Sequence, residues 1–343
     1  MFCINQLSTT DLRFSSLLSI VAESNFFCSD QMSADKTTTE AVDTTCCASC
    51  GIAEVDDIKL MPCDGCDLVN YCSDECQENH RPEHEAKCKE RAAELRDEIL
   101  FKQPEGTHLG DCPICCLPFS YDLKKSSMQT CCSKIICNGC ALADDIRQFQ
   151  ENTETCPFCR QPLPETQEEA DRRLMKRGEA NDPVAIRELG KKRDRNGDCD
   201  GAFRYYITAA ELGDATAHYN LSIAYRDGQA VEKDETKEIY HLEEAAIRGH
   251  SAARYNLAMK EGRKDRSDRA VKHLIIAANL GDDQSINMLK ECYKDGEVTK
   301  DDFSAALRGH YAAVKATKSP QRDEAEKYAA ERNQGGGSCL ESC

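Results

Sequence analysis

Apolar residues between positions 182 and 313 follow a helical pattern that repeats three times. Its first helix reads DPVAIRELG, DATAHYNLS and SAARYNLA, starting at residues 182, 214 and 251. A second helix ends each unit with paired alanines and then a glycine, at Gly213, Gly249 and Gly281. Paired alanines let helices approach closely, and glycine supplies the left-handed residue that ends a helix. We therefore predict helical hairpins that bury their apolar faces by stacking on one another.

Helical spacing continues on either side of these repeats. Apolar residues at 92, 95, 99 and 100 predict a charged helix over 86–102, which the proline at 104 ends. A degenerate fourth unit starts at Asp282 and runs to Gly309. The predicted segments are a helical linker over 89–104, a linker helix within 165–181, an all-α repeat solenoid over 182–317 and a flexible C-terminal tail over 318–343.

The first 45 residues are rich in Ser and Thr, and we predict a disordered N-terminal tail over 1–45. The apolar run 17–22 is far too short to span a bilayer. Asp11 precedes it, where a secretory signal prefers positive charge, so a cleaved targeting peptide is only the alternative. Met32 offers an alternative translation start. We expect a cytoplasmic or nuclear protein with no membrane span.

Composition and charge narrow the choice of partner. The 343 residues include no Trp, 10 Phe and 11 Tyr, which favours small modules over one large aromatic core. There are 61 acidic and 44 basic residues, for a net charge of −17. That charge opposes binding to nucleic-acid phosphates. We therefore expect proteins as partners and regard nucleic acid as a poor one.

Cysteine is concentrated between Cys46 and Cys159, where 17 of the 23 cysteines lie. Many are two residues apart, and such a pair can grip one metal ion from a single turn. A disulfide framework would need an oxidising compartment and a secretory signal. Iron–sulfur ligation is a lesser alternative. We predict structural Zn²⁺, about four ions per chain, with every coordination position filled by protein.

The first cysteine module spans 47–88 and contains the phrase YCSDECQ at 71–77, followed by a seven-residue gap to a histidine. This module resembles the MYND zinc finger. The resemblance implies two interleaved ions. The implied ligands are Cys47, Cys50, Cys72 and Cys76 for one ion and Cys63, Cys66, His84 and Cys88 for the other.

Two neighbours compete for places in that ligand set. Cys46 stands beside Cys47, but only Cys47 keeps the two-residue gap to its partner. His80 competes with His84, and the spacing favours His84. Arg81 stands near the position where the family usually has Trp, a departure that bears on its use of Pro-rich peptides.

The second module spans 112–160. It reads CPIC at 112–115, CC at 131–132, a pair at 137 and 140, and CPFCR at 156–160. It resembles a RING finger. The resemblance implies one site of Cys112, Cys115, Cys137 and Cys140 and a second of Cys131, Cys132, Cys156 and Cys159. A usual RING has a histidine where Lys134 stands, and a protonated lysine has no lone pair for zinc. Cys131 would substitute, and Cys116 is a spare thiol that could also serve.

Three more residues match the contacts by which RING ligases hold a ubiquitin-charged conjugating enzyme. The resemblance implies that Ile114 and Pro157 contact the enzyme and that Arg160 bridges it to ubiquitin through its planar fork. Such a finger performs no covalent chemistry and acts by positioning. The alternative roles are packing around zinc for Ile114 and Pro157, and a solvated surface position for Arg160.

The helical array resembles Sel-one-like repeats, relatives of tetratricopeptide repeats. Its second unit carries YRDGQAV at 225–231, with Ala230 where the family usually has Gly, and then Asp234. The resemblance implies a scaffold that binds proteins.

The predicted fold is therefore multi-domain, with two small zinc-stabilised α+β modules followed by an all-α helical-repeat solenoid. We favour a RING-type ubiquitin ligase whose repeats recruit the protein substrate. A non-enzymatic zinc-finger and helical-repeat adaptor is the alternative, and Lys134 favours it. A hydrolase or transferase fits poorly, because the chain shows no Ser-His-Asp candidate, phosphate loop or two-histidine helix motif.

Overall fold

The computed structural model describes residues 46–335 except Asp56. The predicted tail over 1–45, with its alternative start and targeting run, lies outside the described residues, as does the segment 336–343. The chain divides into two compact units after Glu98, and each is described by itself.

The first unit holds the first cysteine module. Strands β1 (Met61–Pro62) and β2 (Asn70–Tyr71) pair antiparallel. The helix α1 spans Asp74–Leu100, so it begins inside the finger, twelve residues before the predicted start at 86. The Ser73 hydroxyl accepts a hydrogen bond from the Cys76 amide at 3.3 Å, which caps the helix. The acidic residues Asp74 and Glu75 in its first turn complement the helix dipole.

The second unit starts with the other cysteine module. Strand β3 (Ser126–Met128) follows a short 3-10 turn over Leu123–Lys125 and pairs antiparallel with β4 (Ile135–Cys137). The helix α2 (Asn138–Glu151) comes next. Phe119 and Ile136 are buried among the cysteines and form the small apolar core.

The rest of the second unit is helical, as predicted. Its helices are α3 (Gln167–Glu179), α4 (Pro183–Arg195), α5 (Cys199–Glu211), α6 (Ala215–Asp227), α7 (Glu235–Ile247), α8 (Ser251–Arg263), α9 (Ser267–Asn279), α10 (Asp283–Lys294), α11 (Lys300–Ala316) and α12 (Pro320–Gly335). Helices α4 to α11 form four consecutive hairpins. The fold class predicted from the sequence is confirmed.

Small residues allow the repeat helices to stack. Ala209, Ala245 and Ala277 are fully buried at equivalent places in the second helices of three units. The glycine that follows each of these helices has a positive φ, between 83° and 89° at Gly249 and Gly281. Aspartates cap several helices, as Asp214 does by accepting from the Ala217 amide at 2.7 Å.

The segment after α1 packs on the repeats. Leu100 is fully buried with Leu242 and Leu257. The buried Arg254 donates from Nη1 to the Leu100 carbonyl at 2.7 Å, and the His108 amide donates to the Gly249 carbonyl at 3.2 Å. These contacts place residues 100–108 in the second unit, so the end of the predicted helical linker over 89–104 packs on the repeats.

The prediction of a flexible tail over 318–343 needs correction. Helix α12 occupies Pro320–Gly335, with Arg322 and Ala325 buried. Its sequence is rich in charged residues and carries no apolar stripe, and its order comes from contacts with the second cysteine module. Among the helices described between residues 46 and 335, none combines the length and apolar composition that crossing a membrane requires.

Candidate metal centres

The structure brings the sixteen predicted ligands together in four groups of four. Within each group the donor atoms all lie within 4.8 Å of one another. The groups are Cys47, Cys50, Cys72 and Cys76 (site 1); Cys63, Cys66, His84 and Cys88 (site 2); Cys112, Cys115, Cys137 and Cys140 (site 3); and Cys131, Cys132, Cys156 and Cys159 (site 4).

One turn conformation builds several of these sites. Gly51, Cys116 and Arg160 each follow the second cysteine of a pair, and each has a φ between 55° and 74°. Their amides donate to the carbonyl of the first cysteine of the pair at 2.8 to 2.9 Å. The turn folds the chain back so that both thiols point to the same side. The two-residue gap between the paired cysteines is the sequence feature that specifies this turn.

The same turn explains the unusual adjacent cysteines of site 4. Ser133 has φ 55°, and its amide donates to the Gln129 carbonyl at 2.8 Å. Gln129 thus stands where the other turns have their first cysteine. Cys132 keeps the place of the second cysteine, and Cys131, one residue earlier, takes the place of the missing ligand. Lys134 does not enter the site, and its Nζ lies 5.7 Å from the centre of the Phe158 ring.

Distances within the groups fit tetrahedral zinc. Four thiolates bound at about 2.3 Å would lie about 3.8 Å apart. The Sγ atoms of Cys50 and Cys72 are 3.6 Å apart, and those of Cys112 and Cys140 are 3.9 Å apart. In site 4 the Sγ atoms of Cys132 and Cys156 are 3.9 Å apart, and those of Cys131 and Cys159 are closer, at 3.3 Å. None of the cysteines in the described part of the chain forms a disulfide.

Site 2 contains the only histidine among the sixteen ligands. His84 Nε2 lies 3.2 Å from Cys66 Sγ, and burial lowers the pKa of His84, which favours the neutral, metal-binding imidazole. Gly65 makes the site possible, because a Cβ there would lie 2.8 Å from Cys88 Sγ. The competitor His80 lies outside the group, and its Nδ1 is 3.1 Å from the Tyr71 hydroxyl.

The charges of these groups call for a cation. Hydrogen bonds with the neighbouring sulfurs of Cys50 and Cys76 raise the pKa of the Cys72 thiol to about 12. Burial opposes ionisation of Cys47, but backbone amides outweigh it and lower that pKa to about 6. Four thiols at this distance cannot all ionise unless a cation balances them. Zn²⁺, which favours four sulfur or nitrogen donors, supplies that charge and holds these small folds together.

Sequence reasoning missed one residue at site 3. Arg322, from α12, donates to Cys115 Sγ at 3.4 Å and to the carbonyls of Leu117 and Pro118 at 3.0 and 2.6 Å. Burial opposes ionisation of Cys115, but the Leu117 amide and the Arg322 guanidinium lower its pKa to about 7. No local signal marks this arginine, because it is 207 residues away in the chain.

The three residues predicted to contact a conjugating enzyme lie on the turns of the second module. Ile114 is 42% exposed although it is apolar, Pro157 is half-buried and Arg160 is exposed. Phe158, beside Pro157, is also 42% exposed. The turns thus present apolar side chains to solvent, whereas the cysteines beneath them face the sites.

Comparison with known families agrees with two of these modules. Residues 47–88 match the family model of the MYND finger. Residues 187–214, 215–250 and 251–282 each match the model of the Sel1 repeat. The chain therefore contains a MYND finger and three Sel1 repeats, as the sequence predicted. Neither match extends to residues 112–160, and no curated protein matches the chain.

The solved structures that are similar to the chain include two repeat proteins. One is a Sel1 repeat protein from Oxalobacter formigenes, with 24% identity, a TM-score of 0.39, and coverage of 52% of this chain and 73% of that one. The other is a protective antigen of uropathogenic Escherichia coli strains that displays an SLR fold. It shows 19% identity, a TM-score of 0.34, and coverage of 53% of this chain and 39% of that one.

Proposed function

We propose that this zinc-binding protein-interaction protein is a RING-type ubiquitin ligase. Residues 112–160 would hold a ubiquitin-charged conjugating enzyme, and the Sel1 repeats would recruit the protein to be modified. Sites 3 and 4 serve as structural metal centres, since all four positions of each are taken by cysteine. Ubiquitin transfer then depends on positioning the charged enzyme and not on a reacting group of this chain.

The exposure of Ile114 is the observation that carries the proposal. A small finger with little apolar core gains by burying such a side chain, yet Ile114 remains 42% exposed on the turn between two zinc ligands. Phe158 on the other turn is exposed to the same extent. Apolar side chains on rigid turns with a nearby arginine suit a protein-docking surface. Arg160 supplies the fork that can donate to two partners at once.

A non-enzymatic adaptor is the second candidate, and Lys134 favours it. Its position departs from the usual RING pattern, and its side chain lies over Phe158, next to the proposed docking surface. A positively charged group at this position would change which conjugating enzymes can bind the finger, or would prevent all of them from binding. Both candidates use the repeats for protein–protein interaction, and both place the protein in the cytoplasm or nucleus.

Ubiquitin discharge from a panel of charged conjugating enzymes separates the two. The full chain should accelerate discharge, and Ile114→Ala or Arg160→Ala should reduce that acceleration. Ile52→Ala and Arg81→Ala are matched controls, because both side chains are exposed on the MYND finger. If the chain accelerates discharge from no enzyme of a broad panel, the ligase proposal fails and the adaptor function is favoured. Equal loss in the controls would contradict the assigned surface.

A further inference from the structure

The second finger does not end at residue 160, because α12 returns to it from the far end of the repeats. Arg322 is only 8% exposed. Its Nη1 donates to the Pro118 and Thr317 carbonyls at 2.6 and 2.8 Å. Its Nη2 donates to the Leu117 carbonyl at 3.0 Å and to Cys115 Sγ at 3.4 Å. One guanidinium thus ties the start of α12 to the first turn of the finger.

Three of the four acceptors of Arg322 belong to the segment 115–118 at the turn that builds site 3. The Leu117 carbonyl also accepts a hydrogen bond from the Cys112 amide at 3.0 Å, which is a second backbone bond across this turn beside that from the Cys116 amide to the Cys112 carbonyl. Arg322 therefore shares an acceptor with the backbone that places two zinc ligands. Ile114 lies on the same turn, between those ligands. Whatever holds residues 115–118 in place also fixes the direction in which Ile114 points.

Other contacts of α12 are built for this close approach. A Cβ at Gly139, near the start of α2, would lie 3.0 Å from the Cα of Arg322, so only glycine fits there without displacement. Ala325 is buried one turn further along α12. Glu326 pairs with Lys125 at 2.8 Å. A small residue, a buried alanine and an ion pair thus support the same docked position.

We infer that Arg322 is a positioning residue of the second finger, which holds the turn carrying Cys115 and Ile114 from the C-terminal helix. Its role at the conjugating-enzyme surface rests on the proposed ligase function, whereas its role at site 3 does not. Arginine is required because four acceptors lie around one planar fork, whereas lysine would bring the charge on a single donor group. Hydrogen bonds to a metal thiolate and to its turn tune how firmly a metal is held.

This inference also links the finger to the end of the repeat array. Only residues 317–319 separate α11 from α12. A displacement of α11 would therefore move Arg322 and, through its hydrogen bonds, the turn that carries Ile114. A fragment limited to the second finger would lack this support, so the full chain is the right form to test.

Cysteine alkylation under mild chelation tests the inference at site 3. We expect Arg322→Ala to speed alkylation of the four cysteines of site 3 roughly tenfold, the lower end of the usual loss when a group supporting a metal ligand is removed. Alkylation of sites 1 and 2 should not change. Arg332→Ala is the matched control, because Arg332 is an exposed arginine on the same helix. Equal alkylation patterns in the two variants would overturn the inference.

Arg322→Lys guards against simple failure to fold. It keeps the charge and most of the volume, and circular dichroism checks that the repeats remain helical. We expect faster alkylation of site 3 than in Arg332→Ala, though less than in Arg322→Ala. A lysine variant that behaves like Arg332→Ala in alkylation would show that the fork is not needed and would overturn the assignment.

Ubiquitin discharge provides the second readout. In the full chain, Arg322→Lys should raise the half-saturating concentration of charged conjugating enzyme severalfold and leave the maximal rate nearly unchanged, because the docking turn is misplaced and not removed. An unchanged half-saturation would overturn the link to Ile114. If the wild-type chain accelerates no discharge, the ligase proposal and this link fail together, and alkylation alone then decides whether Arg322 holds site 3.

Discussion

The two fingers and the repeats become ordered by different physical means. In the fingers the strands are two or three residues long, and cysteines make up most of the buried residues. In the repeats, buried alanines and leucines form continuous clusters between neighbouring helices. Modules of this size bury too little apolar surface to offset the entropy of folding, so metal ligation must supply the difference. The repeats distribute their stability over every interface between helices.

This contrast shows where each part is vulnerable. A finger depends on a few ligands, so a single chemical change removes most of its stability. A repeat depends on many interchangeable contacts, so a single change weakens it by a fraction. The same contrast suits the proposed functions, because a rigid turn can present Ile114 at a fixed position while an array offers a broad binding surface.

Chelation should produce the largest difference between the two regions. Removing zinc removes about 10 kcal/mol or more of apparent folding free energy per structural ion. We expect residues 46–88 and 111–163 to lose hydrogen-exchange protection while helices α4 to α11 keep theirs. Regional hydrogen exchange followed by mass spectrometry checks this, with circular dichroism as a global measure. One joint collapse of fingers and repeats would contradict the comparison.

A core substitution in the repeats should give the opposite pattern. Leu274 is 1% exposed and packs with Leu289 and Ala258. Leu274→Ala should lower the free energy of unfolding by about 2–5 kcal/mol through lost contacts and a residual cavity. Zinc content should not change. Denaturant unfolding and metal analysis provide the two measurements.

Leu307→Ala is the control for that substitution. Leu307 lies on α11 and is 49% exposed, so its loss should change stability by less than about 0.5 kcal/mol. Release of zinc by the Leu274 variant, at a denaturant concentration that leaves its helices folded, would show that the fingers are not independent of the repeat core.

Acid should weaken the repeats through buried neutral histidines. Burial, and then the nearby charges of Arg254 and Arg269, lowers the pKa of His273 to about 3. The unfolded chain takes up a proton near pH 6.5, and the folded chain does not until about pH 3. The free energy of unfolding therefore falls as the pH drops through this window, by about 2 kcal/mol at pH 5 for one such histidine.

His273→Phe tests that assignment. Both ring nitrogens of His273 lack a hydrogen-bond partner among the described residues, so an apolar ring of similar size should be tolerated. The variant should lose stability less steeply between pH 7 and pH 5 than the wild type. Thermal unfolding of the metal-bound protein at each pH measures this. An unchanged slope would mean that other groups set the acid sensitivity.

Much of the fold could be predicted because its signals are local. Most zinc ligands come in pairs separated by two or three residues, and this spacing marks the two cysteine modules. The resemblance of those modules to MYND and RING fingers then implied the four ligand groups, even where Cys131 and Cys132 are adjacent. The repeats can be recognised because the same sequence pattern recurs at a regular interval, with paired alanines and a terminal glycine in each hairpin. In both cases the residues that form a unit are close in sequence.

The missed features depend on long-range contacts. Arg322 lies in a highly charged segment without helical amphipathicity, and three of its four acceptors lie more than 200 residues earlier in the chain. Leu100 was predicted to belong to a charged linking helix, yet the buried Arg254 donates a hydrogen bond to its carbonyl. The start of α1 at Asp74 was hidden because the zinc ligands Cys76, His84 and Cys88 lie on the helix itself. Tertiary contacts decide these positions, and spacing does not show them.

The smallest predicted effect concerns a departure from the repeat pattern. Ala230 has φ 63°, in the left-handed region, where the family usually has glycine. A Cβ in this region costs about 1–2 kcal/mol, and replacing Ala230 with glycine would relieve that strain. Part of the stabilisation is lost again, because glycine gives the unfolded chain more conformational entropy. Ala230→Gly should therefore raise the free energy of unfolding of the repeats by roughly 0.5 kcal/mol, measured by denaturant unfolding.

The neighbouring Gly228 provides a control of opposite sign. It has φ 73°, and a Cβ there would lie 3.0 Å from the Lys233 side chain. Gly228→Ala should therefore destabilise the repeats by about 1 kcal/mol. Neither variant should alter zinc retention, because the loop contains no metal ligand. If both substitutions shifted stability in the same direction, backbone conformation would not be what limits this repeat, and the loop's contacts with Lys233 and Val231 would have to account for the effect.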